Sequence, residues 1–251
     1  MNYFRIKETI SIHQPLFIPW IPYMARLSVS DTFVVLDDVQ YRKDYYQNRT
    51  IIKERKSERR EWLTISVKHR LEDTIKSVEI EKNNILKKVK NKIYHNYHDK
   101  KYFSIYWEPI ESLLINSKSV KLIDLNISFI ELFFDVLNIN KPSIFFSSVI
   151  CENRDRTEKI INICQFTQKK IFLNGWGRSL EIHNQERLRE EIIFVRLEKE
   201  KVMREVYNEF LEQGLGFLDI IFNYSPKIIL NNIEIIRQIY LEEVTECLNE
   251  R

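Results

Sequence analysis

Short runs of apolar, β-branched residues recur along the chain, and each run is followed by polar residues and then by a helical pattern. The runs cover residues 9–12, 32–36, 143–146, 170–173 and 192–197. Apolar strands that alternate with helices are typical of a parallel sheet covered on both faces. The pattern therefore predicts an α/β, Rossmann-like three-layer domain with a mostly parallel central sheet.

Apolar positions at helical spacing predict the elements between and after these strands. The predicted helices cover residues 21–30, 156–166, 181–191, 201–213 and 230–248, with Asn153 or Asp155 as the cap of the second. A long insertion separates the second strand from the third. It contains a predicted strand at 62–68 and predicted helices at 83–98, 101–116 and 121–137. We expect residues 1–251 to form one domain with a largely helical insertion or cap at about 70–140.

Composition and charge narrow the class of protein only slightly. The chain has 251 residues, of which 44% are hydrophobic and 30% are charged, with a net charge of +3. This balance suits a globular domain and gives no support to nucleic-acid binding. Three separated cysteines without a CxxC pair suggest reduced thiols. Without a signal peptide or an apolar run of the roughly 20 residues that span a bilayer, the sequence predicts a cytoplasmic protein with no membrane span.

Polar side chains follow each predicted strand at the point where ligands bind to open parallel sheets. His13 and Gln14 follow the first strand, and Asp37 and Asp38 follow the second. Further candidates at the same rim are Gln40, Ser147 and Asn174. A histidine that titrates near neutrality could act as a general acid or base. The two carboxylates could hold Mg²⁺, orient the imidazole or bind an amine. In the plain alternative, His13 is structural and the aspartates form a turn or a cap.

Other residues in the first third of the chain suggest how a substrate could be held. Arg49 and Lys68 could clamp a phosphate or carboxylate, and Asn48 and Gln40 could bond sugar hydroxyls. The candidates for an aromatic stacking wall are Trp20, Tyr41, Tyr45 and Tyr46. A basic stretch at 42–60 is either a solvated loop or an anion site. No P-loop or G-x-G-x-x-G motif is present, so the sequence identifies no cofactor and no metal site.

The motifs around these residues resemble those of the WbqC-like protein family. Residues 11–23 (SIHQPLFIPWIPY) resemble the family's HQPxYxPWxGY opening, and residues 30–41 (SDTFVVLDDVQY) resemble its SDxFVxLDDVQY segment. Residues 47–49 (QNR) and 62–68 (WLTISVK) resemble two further family segments, so the resemblance is dense through the first 70 residues; thinner matches follow at 126, 173–175 and 218–223. The departures are Phe17, Pro22, Asn174 and Ser225, and the last two put the role of their loops in doubt.

The resemblance implies a transferase of surface-polysaccharide (O-antigen) biosynthesis that joins a glycine or another aminoacyl group to a sugar precursor through an amide. Its substrates would be a nucleotide-linked or phosphorylated sugar and an activated amino-acid or acyl donor. In this role His13 would deprotonate an attacking amine, Arg49 or Lys68 would hold a phosphate or uronate, and Asp37 or Asp38 would position the ammonium group. The resemblance also adds Asn223 to the substrate-binding candidates.

Three other functions remain open on the sequence. The histidine-bearing loop after the first strand is similar to that of HxGH nucleotidylyltransferases, or the chain could be an ATP-dependent ligase, although only one such histidine is present. A non-catalytic binding protein of a glycan pathway would need no proton transfer at His13. RNA binding through residues 42–60 would show a steep salt dependence.

Overall fold

A parallel sheet of five strands forms the centre of the protein. The structure, a computed structural model, describes residues 7–81, 84–118, 120–152, 155–175, 183–212 and 214–249. The strands are β1 (Thr9–His13), β2 (Thr32–Val35), β3 (Arg49–Lys53), β4 (Arg60–Thr64), β5 (Val67–Lys68), β6 (Glu79–Ile80), β7 (Ser143–Phe146), β8 (Ile171–Asn174) and β9 (Ile193–Arg196). The helices are α1 (Ile21–Val29), α2 (Ile85–Tyr97), α3 (Phe103–Asn116), α4 (Leu122–Val136), α5 (Ser147–Ile150), α6 (Arg156–Phe166), α7 (Gln185–Glu191), α8 (Lys199–Glu205), α9 (Asn208–Leu211), α10 (Phe217–Asn223) and α11 (Pro226–Asn249).

The order of the central sheet is β7-β2-β1-β8-β9, and every neighbouring pair is parallel. In the register of the sheet, Thr32 lies opposite Ile10 on one side and Ser143 on the other. Because the strands are parallel, their carboxyl ends lie along one edge of the sheet. The predicted α/β fold with a parallel central sheet is confirmed.

Successive side chains of a strand point to opposite faces of the sheet. Both faces are covered at the inner strands β2, β1 and β8, whereas β7 at one edge is partly exposed. Ile10 and Ile12 pack with Ile160 of α6 in a core cluster on one face. Phe33 and Val35 belong to the larger core cluster, which includes α1 and α11. Burying one such side chain contributes about 1.5–3 kcal/mol, so the continuous apolar strands hold the helices on both faces.

The insertion between β2 and β7 contains helices, as predicted, and also two small antiparallel pairs. β3 pairs with β4, and β5 pairs with β6. The strand predicted at 62–68 is therefore divided: its first part belongs to β4 and its last part is β5. The division arises because the pairing partner changes between Thr64, which lies opposite Arg49, and Val67, which lies opposite Ile80.

The helix predicted at 201–213 is also divided, into α8 and α9. Tyr207 follows the break, and its backbone N–H donates to Oδ1 of Asn232 at 3.2 Å. That amide belongs to α11, and it satisfies a donor that a continuous helix would use internally. By contrast, the predicted cap Asp155 does begin α6, since its side chain accepts from the backbone N–H of Glu158. Residues 153, 181, 182 and 213, which also fall in these predictions, lie outside the described residues.

Candidate functional site

A cavity of about 130 Å³ lies beyond the carboxyl ends of β1 and β8. Its walls come from the end of each strand, from the loop between β1 and α1, from α1 itself and from the insertion. The lining residues are His13, Leu16, Phe17, Ile18, Pro19, Trp20, Pro22, Tyr23, Arg26, Tyr45, Tyr46, Thr50, Asn174, Gly175, Leu197, Gly214 and Tyr240. A mostly apolar cavity with a few convergent polar groups, at the ends of parallel strands, is a typical ligand-binding site.

The loop that carries the cavity wall is held from several sides. Ile18 has a φ of 46°, a left-handed conformation that is rare for a β-branched residue. The backbone N–H of Phe17 donates to the carbonyl of Tyr46 at 2.9 Å, and the hydroxyl of Thr50 donates to the carbonyl of Ile18 at 3.1 Å. These contacts from the insertion hold the unusual backbone in place. Strained backbone that is held in this way is frequent at ligand sites.

His13 ends β1 and presents one ring nitrogen for binding. Its Nδ1 lies 2.8 Å from the carbonyl oxygen of Gln14, and since a carbonyl only accepts, Nδ1 carries the hydrogen. In the neutral ring the lone pair then lies on Nε2. The edge of the ring contacts Tyr23, with ring centroids 5.2 Å apart.

Burial, together with the nearby charge of Arg26, lowers the pKa of His13 from 6.5 to about 3, despite the opposing hydrogen bond to Gln14. The expectation that His13 titrates near neutrality is therefore corrected: the imidazole is neutral throughout the physiological range. The physical reason is desolvation, which disfavours the charged form of a buried histidine.

Arg26 is the second polar group of the cavity, and it was not among the predicted site residues. It lies on α1, all of whose residues are buried, and only 4% of it is exposed. The guanidinium carbon lies 5.4 Å from the centre of the Tyr23 ring. Its Nε has no hydrogen-bond partner within the described part of the chain. The signal in the sequence was a single arginine in a helix that is otherwise almost apolar.

An aromatic strip runs from the cavity to the surface. It consists of Tyr45, Tyr46 and Trp62; the ring centroids of the first two are 5.2 Å apart, and those of the last two are 5.8 Å apart. Tyr45 is 41% exposed and Trp62 is 40% exposed. Arg49 lies over the Trp62 ring at 4.0 Å and is 3.5 Å from the carboxylate of Asp44. The two tyrosines line the cavity, so the strip is continuous with it.

Asp37 and Asp38 lie at the end of β2 but do not line this cavity. Asp37 accepts hydrogen bonds from the backbone N–H of Ser148 at 2.8 Å and from its hydroxyl at 2.6 Å, at the start of α5. Asp38 forms an ion pair with Lys159 and accepts a hydrogen bond from Ser147. Burial opposes ionisation of Asp38, but the hydrogen bonds from Lys159 and Ser147 and the charge of Lys159 keep its pKa below the usual value.

These contacts place the two predicted catalytic aspartates, Asp37 and Asp38, apart from His13. Lys159 belongs to α6, which covers the face of the sheet that Ile12 contacts. His13 follows Ile12 and, by the alternation of a strand, points to the opposite face, where α1 lies. The structure therefore does not bring His13 and Asp38 to one cavity.

The remaining predicted residues divide in the same way. Trp20 and Asn174 line the cavity, where the Asn174 carbonyl accepts from the Tyr240 hydroxyl at 3.0 Å. Gln14, which follows His13, is not among the lining residues; its side-chain oxygen accepts a hydrogen bond from the side chain of Gln47 at 2.7 Å.

Five predicted residues lie elsewhere. Asn48 donates to the carbonyl of Ile65, and Asn223 donates to the carbonyl of Asp219 within α10. Gln40 and Lys68 are exposed in the insertion, and Tyr41 packs against His69. Four of these residues lie in the insertion, so their position depends on how the insertion folds, whereas the position of Asn223 depends on how α10 packs.

Two wider properties concern the whole described chain. None of its helices combines the length and the apolar character needed to cross a bilayer. Within the same residues, no group of three or more His, Cys, Asp and Glu side chains could hold a metal ion.

Comparison with known proteins shows that the chain matches one protein family and is similar to a protein of a known organism. The sequence profile of the WbqC-like protein family matches residues 14–230, which include most of the cavity wall. The chain is 24% identical over 227 residues to the uncharacterized protein Rv1507c of Mycobacterium tuberculosis (strain ATCC 25618 / H37Rv), and the match covers 88% of this chain and 95% of the relative. No solved structure matches the chain at a significant level.

Proposed function

The chain belongs to the WbqC-like protein family, and we propose that it is a transferase that modifies a sugar precursor of a bacterial surface polysaccharide. The reaction is the transfer of an acyl or aminoacyl group from an activated donor to an amine of the sugar, forming an amide. The observation that carries this proposal is a neutral imidazole in a cavity with an aromatic mouth, with one ring nitrogen that has no hydrogen-bond partner among the described residues.

The chemistry assigned to His13 follows from its hydrogen bond. In the reaction, the amine nitrogen attacks the carbonyl carbon of the donor, the bond to the leaving group breaks, and one N–H proton must leave the nitrogen. Nε2 of His13 takes this proton, because Nδ1 already carries a hydrogen that it donates to Gln14. Positioned proton acceptors contribute about 10²–10⁴-fold to a reaction rate when their pKa lies near the working pH, so in this proposal the pKa of His13 rises from about 3 when the substrate is bound.

The aromatic strip supports a sugar as the acceptor. Sugar rings have apolar C–H faces, and amphipathic aromatic rings such as Tyr and Trp offer both apolar area and a polar edge. Tyr45 and Trp62 expose their rings beside the cavity, and together with Tyr46 they form one contiguous aromatic surface, which is more typical of a binding site than scattered exposed rings. A sugar on this strip would reach the cavity with its reacting amine.

In this proposal the two aspartates position the loops and do not touch the substrate. Asp37 holds the start of α5, and Asp38 holds α6 through Lys159. Arg49 supports the ring of Trp62 from one side, so it acts on the sugar through that ring. The clamp expected at Arg49 or Lys68 is therefore not part of the proposed reaction.

The test is a transfer assay with the purified protein, activated acyl and aminoacyl donors and nucleotide-linked amino sugars, read by mass spectrometry for the amide product. His13→Asn is the informative variant, because the Asn amide can still donate to the Gln14 carbonyl while Nε2 is lost. We expect it to lower the rate of transfer by about 10²-fold or more. The exposed His95, which lies on α2 outside the cavity, provides the matched control His95→Asn, which should keep the full rate.

Two results would contradict the proposal. One is the absence of product with every donor and acceptor pair although a sugar nucleotide binds tightly, which would indicate a non-catalytic binding protein. The other is a rate for His13→Asn equal to that of the natural chain, which would exclude His13 as the proton acceptor.

A further inference from the structure

Three cationic side chains are buried in the described part of the chain, and one of them differs from the others. Lys159 pairs with Asp38, and Arg237, which is 3% exposed, pairs with Glu234 at 2.9 Å. Arg26, by contrast, has no hydrogen bond or ion pair to any side chain that the structure describes. Buried charges in proteins are normally paired, because desolvation disfavours an isolated ion. Arg26 therefore requires a partner that is not part of the described chain.

The position of the guanidinium shows where that partner would lie. Arg26 lines the cavity, and its Nη1 faces Gly175, where an added Cβ would be 3.5 Å away. The ring of Tyr23 covers one side of the guanidinium. The cavity of about 130 Å³ is large enough for a compact group. A planar guanidinium with a free Nε matches a carboxylate or a phosphate, which accept two parallel hydrogen bonds from it.

We propose that Arg26 binds a compact oxyanion, a phosphate or carboxylate group of the substrate, inside the cavity that His13 lines. The proposal rests on the proposed function only in assigning this group to the substrate of the transfer. It accounts for a buried cation that would otherwise destabilise the protein.

The oxyanion would also change the chemistry of His13. Burial and then the charge of Arg26 lower the pKa of this imidazole, and the groups that face it are Arg26, the ring of Tyr23 and the Gln14 carbonyl. A negative group on the guanidinium offsets its charge, so the pKa of His13 rises on binding. The imidazole then becomes a stronger proton acceptor only when the substrate is in place.

The experiment is a titration with inorganic phosphate and, separately, with acetate, at constant ionic strength maintained with sodium chloride. NMR of the protein labelled in its arginines follows the Nε–H signal of Arg26, and the ring signals of His13 report its pKa. We expect saturable binding of at least one oxyanion, and the oxyanion that binds more tightly identifies the substrate group as a phosphate or a carboxylate. Arg26→Met should weaken the affinity for this oxyanion by about tenfold or more, because charge-assisted hydrogen bonds are lost.

Control variants separate the alternatives. Arg237→Met removes the other buried arginine, which lies outside the cavity, and should leave the affinity for the oxyanion unchanged. If Arg26→Met does not fold, Arg26→Lys replaces it, because lysine keeps the charge but lacks the planar guanidinium and should also bind the oxyanion more weakly. The shift of the Arg26 signal in the natural protein tests the inference without any variant. No saturable shift of the Arg26 signal with either oxyanion would overturn the inference, as would equal affinity in Arg26→Met.

The same titration distinguishes this inference from the proposed transfer. His13→Asn should still bind the oxyanion, within about threefold, because Arg26 is intact. If oxyanions bind at Arg26 but no donor and acceptor pair yields product, the anion site stands and the transferase proposal fails. If transfer depends on His13 but no oxyanion binds, the transferase proposal stands and the anion site at Arg26 fails.

Discussion

Asp219 provides the sharpest test of how this structure depends on pH. It lies in the first turn of α10 and is 3% exposed. Its carboxyl contacts the hydroxyl of Tyr97 in a short hydrogen bond and accepts from the backbone N–H of Lys53 at 3.3 Å. Burial raises the pKa of Asp219 from 3.8 to about 7, despite the opposing effects of Tyr97 and Lys53. The folded protein therefore holds a proton here that the unfolded chain releases.

The sign and size of the effect follow from linkage. Between pH 3.8 and about 7 the folded state binds more protons than the unfolded state, so the free energy of unfolding falls as the pH rises through this interval. The interval corresponds to a loss of about 4 kcal/mol from this group, an upper value to the order of magnitude. Asp219→Asn imitates the protonated acid, because its NH₂ can donate to the Tyr97 oxygen while its carbonyl accepts from Lys53. The free energy of unfolding of Asp219→Asn should therefore not fall through this pH interval on account of residue 219.

The assay is urea denaturation of both proteins between pH 5 and pH 8.5. At pH 5 Asp219→Asn should already be somewhat more stable than the natural protein, and from pH 5 to pH 8 its advantage should grow by up to about 3 kcal/mol, because roughly two pH units of the interval remain. Taking the difference between the two proteins cancels every other titrating group. Asp135→Asn, at an exposed carboxylate paired with Lys141, is the matched control and should show no such trend. A difference between natural and Asp219→Asn protein that stays constant with pH would refute the reasoning.

Three further predictions concern the loops around the site. Asp38→Asn should lower the free energy of unfolding by about 3 kcal/mol in chemical denaturation, because it leaves Lys159 buried without its counter-charge; a loss below about 1 kcal/mol would show that the pair is solvated. Gly214→Ala should destabilise by more than about 1 kcal/mol, because Gly214 has a φ of 80° and a Cβ there would overlap the ring of Tyr46; unchanged stability would contradict this close packing. His13→Asn should unfold less readily in acid than the natural chain, since the natural protein loses stability as the pH falls from 6.5 towards about 3 and its unfolded state gains a proton; parallel acid unfolding curves would show that His13 is solvated.

The central sheet could be predicted from the sequence because its strands carry a local signal. The apolar runs at 9–12, 32–36, 143–146, 170–173 and 192–197 each correspond to one strand of the parallel sheet, with ends that differ by at most one residue. A strand that is buried on both faces must be apolar along its length. A continuous apolar run therefore predicts the strand and also the helices that pack on both faces of its sheet. The motif around 11–41 also sufficed to indicate the family, which the profile match confirms.

The composition of the cavity depended on packing that no local pattern contains. His13 and Asp38 both follow strand ends, but the pleat of β1 turns His13 towards α1, and Asp38 pairs with Lys159 on the other layer. A shift of one residue in a strand reverses the face of a side chain, and sequence spacing does not specify it. The insertion likewise decided that Tyr46 reaches the cavity while Tyr41 packs against His69.

Taken alone, the sequence determined the layered α/β fold, the family, and that His13 and Asn174 lie at strand ends. Only the tertiary structure decided that His13 is neutral and that the Arg26 side chain lies buried beside it with no hydrogen-bond or ion-pair partner among the described residues. Whether a charge is paired depends on every chain segment that packs around it, and these segments are far apart in sequence. Secondary structure is a property of neighbouring residues, whereas the electrostatics of a cavity is a property of the whole fold.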